Sequence, residues 1–262
     1  MLSAFKAANS YALLRTIAHQ PPICGSKQVN SIQEALAEIK SGSSIAIGGY
    51  GPCGVPQALI NELANKNTKN HVVFISTAGG ENYGITPLFK NKQIAKLITS
   101  DFEDNKELLN QYHKGEIELH ATPLGILAEK LRNGGLGIPA FFSPIGVGTM
   151  REEGGVPVKL SKDGKNIEKV SDGREKREFH GKEYIMEKSI LADYSFIKGW
   201  KADIKVNVVL RNAGMNFNAD VAFAGKVCIA EVDEIVEAGA LDADDINLPG
   251  IYVHKVVKSS EA

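Results

Sequence analysis

The sequence predicts an α/β protein with a largely parallel open sheet, flanking helices and a small β-hairpin insertion. Short apolar runs that suit buried strands alternate with helical segments, which is the order that a parallel sheet requires. Between about residues 151 and 190 this alternation gives way to charged, turn-rich sequence typical of surface hairpins. Hydrophobic residues make up 43% of the 262 residues, enough for a sizeable core.

Local signals predict the first helix and the first strand. The capping box Ser31-Ile-Gln-Glu34 predicts a helix that runs to about Lys40 and ends at Gly42. The uninterrupted apolar run Ile45-Ala46-Ile47 predicts a buried strand over residues 43–49.

Proline, glycine and apolar periodicity define the elements that follow. Pro56 suits the first turn of a helix, because that turn has no partner for a backbone N–H and proline has none to offer. Gly134-Gly135 is expected to stop a helix over 123–133. Further predicted strands span 71–76, 94–100, 117–121 and 139–142, and further predicted helices span 56–66 and 105–114. Strand-like runs of the parallel type return at 194–197, 206–210, 227–232 and 252–257.

Charge and cysteine content exclude several classes of protein. The formal net charge is -1, which gives no reason to expect nucleic acid or an anionic membrane as a partner. No apolar run approaches the roughly 20 residues that span a bilayer. Cys24, Cys53 and Cys228 are odd in number and widely spaced, so we expect a reducing compartment and no disulfide framework. No cysteine or histidine spacing suits a metal, so neither a metal site nor a cofactor is expected.

The first 30 residues differ in composition from the rest. No acidic residue precedes Glu34, while Lys6, Arg15 and Lys27 are basic. The apolar residues that could line one side of a helix are Leu2, Phe5, Leu13, Leu14 and Ile17. This composition predicts a mitochondrial presequence over residues 1–30, followed by a single domain over 31–262, and hence a location in the mitochondrial matrix. A basic flexible tail is the alternative.

A glycine-rich loop follows the first predicted strand. Gly49-x-Gly51-x-x-Gly54 resembles a dinucleotide-binding loop, but that reading needs an acidic residue at the end of the second strand, where Ser76 and Thr77 stand instead. Pro52 also removes a backbone donor from the turn. The interpretation that remains is a loop that lets a ligand approach bare backbone at the carboxyl end of a parallel strand. A tight βα turn without any ligand is the alternative.

A longer pattern extends this loop. The stretch from Ser41 to Pro56, SGSSIAIGGYGPCGVP, resembles the signature of the family I CoA transferases, and it departs from that signature mildly at Ser41 and Tyr50. Other segments of the same resemblance are GGLGIPAFF, SPIGVGT, the Trp200 segment GWKAD, Asn216-Phe-Asn218, AEVDEIVEAGAL and LPGIYVHK. The resemblance covers the chain from about Ser31 to Lys258 and is to the α-type subunit of the family.

The resemblance implies a fold, a reaction and a partner. The fold would be the CoA-transferase α-type fold. The reaction would move CoA between an acyl-CoA and a carboxylic or 3-oxo acid, through a glutamate that a β-type partner carries, so no catalytic residue is expected in this chain. The residues implied to form the substrate-pocket loops are Gly48, Gly49, Tyr50, Gly51, Gly54, Pro56, Ala78, Gly79 and Gly125. The chain is not expected to be a free monomer; its partners would be a β-type chain or other subunits of a mitochondrial complex.

The chain departs from the family where polar groups should face the substrate. The family's oxyanion donor is a glutamine, and Leu124 stands at the matching place in Thr-Pro-Leu-Gly-Ile. Ile75-Ser76-Thr77 replaces a serine and two asparagines, and Asp101-Phe-Glu-Asp-Asn105 lacks the family's glycine. Turn acids that might replace the missing nucleophile, Glu81, Glu152 and Glu153, are expected to be solvated. The alternative hypothesis is therefore a catalytically degenerate protein that is retained as a structural subunit.

Overall fold

The described part of the chain begins against the main domain. The computed structural model describes residues 27–81 and 83–259, so most of the predicted presequence lies outside the described residues. The N–H of Val29 donates to the carbonyl of Val256 at 3.0 Å, which places the start of the described chain beside the last strand. The division between residues 1–30 and 31–262 stays a prediction.

The described residues form strands and helices in alternation. The strands are β1 (Ser44–Ile47), β2 (His71–Thr77), β3 (Ile94–Asp101), β4 (Glu118–Ala121), β5 (Ala140–Ser143), β6 (Pro157–Leu160), β7 (Ile167–Val170), β8 (Lys176–Phe179), β9 (Lys182–Lys188), β10 (Ala192–Asp203), β11 (Val208–Val209), β12 (Gly225–Val236) and β13 (Lys255–Lys258). The helices are α1 (Ile32–Ala35), α2 (Gln57–Asn65), α3 (Thr86–Lys90), α4 (Lys106–His113), α5 (Leu124–Gly135), α6 (Met150–Glu153) and α7 (Asn218–Ala224). Short 3-10 turns span Asn212–Met215 and Ala243–Asp245.

The main sheet has eight strands within the described residues. Its order is β13-β12-β10-β1-β2-β3-β4, and β11 pairs with β10 outside this path. Every neighbouring pair along the path is parallel, whereas β11 is antiparallel to β10. The antiparallel sheets β5-β9-β8 and β6-β7 form the hairpin insertion. The prediction of a largely parallel sheet with a small β-hairpin insertion is confirmed.

Two predicted strands lie elsewhere than expected. The run at 139–142 forms β5, but β5 pairs antiparallel with β9 in the insertion, because an apolar run of four residues has the same pattern in either kind of sheet. The run at 206–210 contains β11, which is antiparallel rather than parallel. The Asp203 carboxylate accepts from the N–H groups of Lys205 and Asn207, and this tight turn reverses the chain.

Two helix ends also differ from prediction. Ser31 caps α1, accepting the N–H of Glu34 at 3.1 Å, but α1 stops at Ala35. The chain then tightens, with the N–H of Ile39 donating to the carbonyl of Leu36, and the ammonium of Lys66 binds the carbonyls of Leu36 and Ala37. Helix α5 includes Gly134 and Gly135 and does not stop before them. The glycine at residue 135 serves packing instead, because a side chain there would collide with the backbone of Phe223 in α7. Helix α3 has no predicted counterpart, since its five residues are too few to show periodicity.

The sheet separates two cores. Alternate residues of β1 and β2, such as Ile45 and Ile75, are buried against α1 to α4. The intervening residues, such as Ala46 and Phe74, are buried with residues of α5 and α7. Covering both faces explains why these strands are apolar without interruption.

A buried carboxylate joins the insertion to the rest of the domain. The side chain of Glu187 in β9 is 1% exposed and forms ion pairs with Lys130 of α5 at 3.1 Å, Arg151 of α6 at 2.8 Å and Arg174 at 2.9 Å. Burial by itself raises the pKa of Glu187, but the charges of Lys130, Arg151 and Arg174 outweigh burial and hold the pKa below 4.5, the ordinary value.

We predict that Glu187→Gln lowers the free energy of unfolding at neutral pH by about 3–5 kcal/mol, because it leaves three cations around a neutral group. A pKa that is depressed in the folded state stabilises it above the unfolded value of 4.5 and loses that effect as the pH falls through the folded pKa. The gap between wild type and variant should therefore close below pH 4.5 in urea titrations. Glu178→Gln on exposed β8 is the control; an equal loss there would contradict this role for Glu187.

Candidate functional site

The topology of the sheet places a crevice between β1 and β10. From β1 the chain crosses to β2 by way of α2 on one face, and from β10 it crosses in the opposite direction to β12 by way of α7 on the other face. In open α/β sheets, ligands bind beyond the carboxyl ends of the strands at such a reversal of strand order. The loops after β1 and β2 lie at this edge.

The first glycine loop, residues 48–56, begins with a compact turn. The N–H of Tyr50 donates to the carbonyl of Cys53 at 3.0 Å, and the N–H of Cys53 donates back at 3.1 Å. Gly49 and Gly51 have φ angles of 103° and 55°, a backbone conformation that favours glycine. The side chain of Tyr50 is exposed at the tip. The glycines therefore set the shape of a projecting backbone loop.

The carboxamide of Asn218 holds this loop against β10. The residue is fully buried, its Nδ2 donates to the carbonyls of Gly54 at 2.9 Å and Gly214 at 3.0 Å, and its Oδ1 accepts the N–H of Lys198 at 3.0 Å. Gly48 packs on the same group, and a Cβ at residue 48 would overlap it. Every polar atom of the carboxamide is thus satisfied by backbone from neighbouring segments.

The second glycine loop, described at residues 78–81 and 83–84, is fixed by a different buried asparagine. Asn105, the N-cap of α4, donates from Nδ2 to the carbonyl of Ala78 at 3.1 Å. Gln57, the first residue of α2, both accepts the N–H of Gly84 at 2.9 Å and donates to its carbonyl at 3.2 Å. Gln57 therefore ties the helix that follows the first loop to the end of the second.

Hydroxyl groups connect the strand ends laterally. Ser76 donates to the carbonyl of Gly49 at 2.5 Å, and Thr99 donates to the carbonyl of Ser76 at 3.1 Å. The N–H of Thr122 donates to the carbonyl of Thr99 at 2.9 Å. These bonds fix the carboxyl ends of β1 to β4 relative to one another.

The structure brings together eight of the nine predicted pocket residues. Gly48, Gly49, Tyr50, Gly51, Gly54 and Pro56 lie in the first glycine loop, and Ala78 and Gly79 open the second. Pro56 precedes α2 as its N-cap. Gly125 lies in the first turn of α5, whose buried residues belong to the opposite core, and no hydrogen bond joins it to either loop within the described residues. Leu124 beside it packs partly buried against that core and offers no donor.

A cleft of about 370 Å³ opens beside the first glycine loop. Cys53 and Gly54 form one wall, and Trp200, Arg211 and Asp233 contribute to the others. Sequence reasoning missed Trp200, Arg211 and Asn218 as site residues. Trp200 and Asn218 lie in segments shared with the resembled family. Only the folded chain shows that β10 continues past β1 and presents Trp200 at the crevice, and that α7 brings Asn218 against the first glycine loop.

The buried acid nearest to α2 is fully engaged. Glu231 is 2% exposed, and its carboxylate accepts the N–H of Leu59 at 3.1 Å, the hydroxyl of Ser259 at 2.8 Å and the ammonium of Lys198 at 3.1 Å. It caps the positive end of α2. A carboxylate with these partners stabilises the fold and is not poised as a nucleophile.

The three turn acids of the sequence, Glu81, Glu152 and Glu153, have ordinary surroundings. Glu81 forms an exposed ion pair with Lys106 at 2.8 Å. Glu152 accepts the N–H of Gly148 at 2.7 Å and pairs with Lys176 at 2.9 Å, and the pKa of Glu152 is lowered by the Gly148 bond and then by Lys176. Glu153 is exposed. Each of these carboxylates is therefore paired within its own surroundings or exposed to solvent, as the sequence predicted.

Three further features of the described chain concern metals, thiols and membranes. Among residues 27–81 and 83–259, no three His, Cys, Asp or Glu side chains are close enough to hold a metal ion. Cys53 and Cys228 are free thiols. No helix in this part of the protein has the length and apolarity to cross a membrane.

A doubly wound sheet with backbone loops at its switch point defines the class as an α/β ligand-binding or enzyme domain. Residues 29–259 match the family model for coenzyme A transferase. The chain belongs to the coenzyme A transferase family, and within it to the α type, so the sequence-based resemblance is confirmed.

Individual relatives differ in how much of their length the chain covers. It is 42% identical over 235 residues to one subunit of the succinyl-CoA:3-ketoacid coenzyme A transferase of Helicobacter pylori, covering 90% of this chain and 93% of that protein. It is 41% identical over 225 residues to the mitochondrial succinyl-CoA:3-ketoacid coenzyme A transferase 2A of rat, covering 86% of this chain but 43% of that protein. A solved acyl-CoA transferase of Escherichia coli has a TM-score of 0.77 and 25% identity, covering 91% of this chain and 48% of that one.

We predict that Asn218→Asp loosens the first glycine loop, because a carboxylate oxygen would face the carbonyls of Gly54 and Gly214. Each unsatisfied buried group costs about 1–3 kcal/mol. Hydrogen exchange followed by mass spectrometry should show faster exchange over residues 49–56 and unchanged protection over 78–84.

Asn105→Asp is the matched control. An aspartate still caps α4, but it cannot donate to Ala78, so exchange should rise over residues 78–84 and stay slow over 49–56. If both variants loosened both loops equally, the two asparagines would not act locally as described.

Proposed function

We propose that this protein is the pocket-forming α-type subunit of a CoA transferase that moves CoA between succinyl-CoA and a 3-oxo acid. The observation that carries the proposal is the pair of glycine loops, fixed side by side at the switch point by Asn218, Asn105 and Gln57. Rigid loops of bare backbone suit close approach of a thioester. Relatives named for this reaction, with 40–43% identity, support the choice of substrates.

The chain needs a second polypeptide for this chemistry. CoA transfer through a covalent intermediate requires a free carboxylate in the site. Glu231 is engaged on all sides, and the turn acids have partners or lie in solvent. We infer that a β-type chain supplies the glutamate and closes the pocket. Relatives that are named as one subunit of such a transferase, and that the chain covers nearly completely, support a separate partner chain.

Leu124 limits the rate that we expect from the assembled enzyme. Its side chain packs on the apolar core and gives no hydrogen bond to a developing oxyanion. Loss of one such donor costs a factor of about 10²–10³ in rate. The missing donor at Leu124 also favours the second candidate function, that of a catalytically degenerate protein retained as a structural subunit of a mitochondrial complex.

The mitochondrial matrix is the location that we propose. The basic, acid-free start of the chain supports it, and so do the mitochondrial relatives of rat and human. Bacterial relatives are equally similar to the chain, so similarity alone does not favour mitochondria. The proposal therefore depends mainly on the basic composition of residues 1–30.

We predict that Leu124→Gln, assayed with a purified β-type chain, speeds CoA exchange between succinyl-CoA and acetoacetate by about 10²–10³-fold. Residue 124 follows β4 at the carboxyl edge of the sheet, and the family resemblance implies an oxyanion donor at this position. Leu136→Gln, the same change at the other end of α5, should leave the rate unchanged. Size-exclusion chromatography confirms that the two chains associate in each assay.

The outcomes separate the two candidate functions. Measurable exchange by the wild-type pair supports a working enzyme. A complex that forms but exchanges no CoA, with either leucine or glutamine at residue 124, would contradict the enzyme proposal and favour a structural role.

A further inference from the structure

The cleft beside the first glycine loop holds an arginine whose charge no carboxylate balances. The guanidinium of Arg211 lies over the ring of Trp200, 4.9 Å from its centroid. Within residues 27–81 and 83–259, Arg211 forms no ion pair and its side chain donates no hydrogen bond. An exposed cation that rests on an indole face is held in one orientation at little cost in side-chain entropy.

The other cation that lines this cleft, Lys198, is neutralised, and so is Lys201 on the Trp200 ring. Lys198 lies 3.1 Å from Glu231 and 2.7 Å from Asp233. Lys201, whose ammonium is 4.7 Å from the centroid of the Trp200 ring, pairs with Glu234 at 2.7 Å. Among the described residues at the cleft, the unpaired positive charge is therefore that of Arg211, and its planar fork of donors is free to bind.

A backbone N–H without a partner among the described residues belongs to Gly54, next to the same cleft. Gly54 lines the cleft, and its N–H donates to no acceptor within the described residues. The buried carboxamide of Asn218 donates to the carbonyl of Gly54 and does not bind its N–H. Asn218 therefore holds Gly54 in place and leaves its N–H without a partner among the described residues. Free backbone N–H groups at glycine turns commonly bind anions.

We propose that Arg211, stacked on Trp200, binds an anionic group of a ligand in this cleft, with the Gly54 N–H as a further donor. The chemistry is that of a planar or tetrahedral oxyanion, which an arginine fork binds in bidentate fashion. Two sources have this chemistry: the carboxylate of an acid substrate and a phosphate of CoA. The choice of these two ligands rests on the proposed function, whereas the anion site itself does not.

A second arginine–aromatic pair supplies the matched control. The guanidinium of Arg177 lies 5.5 Å from the centroid of the Phe142 ring, but Arg177 also pairs with Glu175 at 2.6 Å and lies in the hairpin insertion. If any arginine stacked on an aromatic ring bound anions, Arg177 would do so as well. Arg211 differs by its missing carboxylate and by the cleft beside it.

Isothermal titration of the full chain tests the proposal with two probes. Succinate offers carboxylates only, and ADP offers the phosphates of a CoA-like ligand. We expect at least one probe to bind, with a Kd about tenfold or more higher in Arg211→Ala and unchanged in Arg177→Ala, because a charge-assisted bidentate contact is lost. Arg211→Lys keeps the charge without the fork and should bind at an intermediate level.

The probe that responds identifies the source of the anion. Binding of neither probe to the wild type, or equal binding by wild type and Arg211→Ala, would overturn the proposal.

Thermal melting checks that the variants fold, and Trp200→Phe, which keeps a ring under the arginine, should bind nearly as well as the wild type. A failure of CoA exchange with a β-type chain would leave this binding result unchanged, so the two proposals fail separately.

Discussion

The candidate site depends on one buried carboxamide. Asn218 satisfies the carbonyls of Gly54 and Gly214 and the N–H of Lys198, and in doing so it joins the first glycine loop to β10 across the switch point of the sheet. Strand order alone brings the carboxyl ends of β1 and β10 together, but it does not fix a loop whose glycines allow many conformations. A fully satisfied polar group in the interior restricts the loop to one arrangement, because alternatives leave buried groups unpaired.

Much of the fold was predictable because its signals are local. The capping box at Ser31 and the apolar runs of β1 and β2 need no knowledge of distant residues. The errors arose where distant contacts decide. Lys66 binds the carbonyls of Leu36 and Ala37 just beyond the end of α1, and β5 pairs with β9, whose Glu187 forms an ion pair with Lys130 of α5. Neither partner is near in sequence, so no local pattern could reveal it.

The positions of the two glycine loops were predictable from the sequence, but the side chains around them were not. Glycines mark where a loop must turn or approach closely, and the two loops lie where the sequence placed them. No sequence pattern indicates a role for Asn218, Arg211 or Trp200. An asparagine in a helix or an arginine in a turn is common, and its role shows only in its burial and its neighbours in the fold. Gly125 lies apart from the two glycine loops because α5 packs on the opposite face of the sheet. The periodicity of a helix does not show which face of a sheet it will cover.

We propose that this chain shapes the pocket and that its partner supplies the nucleophile, since Glu231, Glu81 and Glu152 are each held by other groups. The most direct measurement is intact-mass spectrometry after the chain and a β-type partner are mixed with succinyl-CoA and quenched in acid. We expect the partner to gain the mass of CoA less one water, as its glutamyl thioester forms and succinate leaves, and we expect no gain on this chain. A CoA adduct on any carboxylate of this chain would contradict that division of roles.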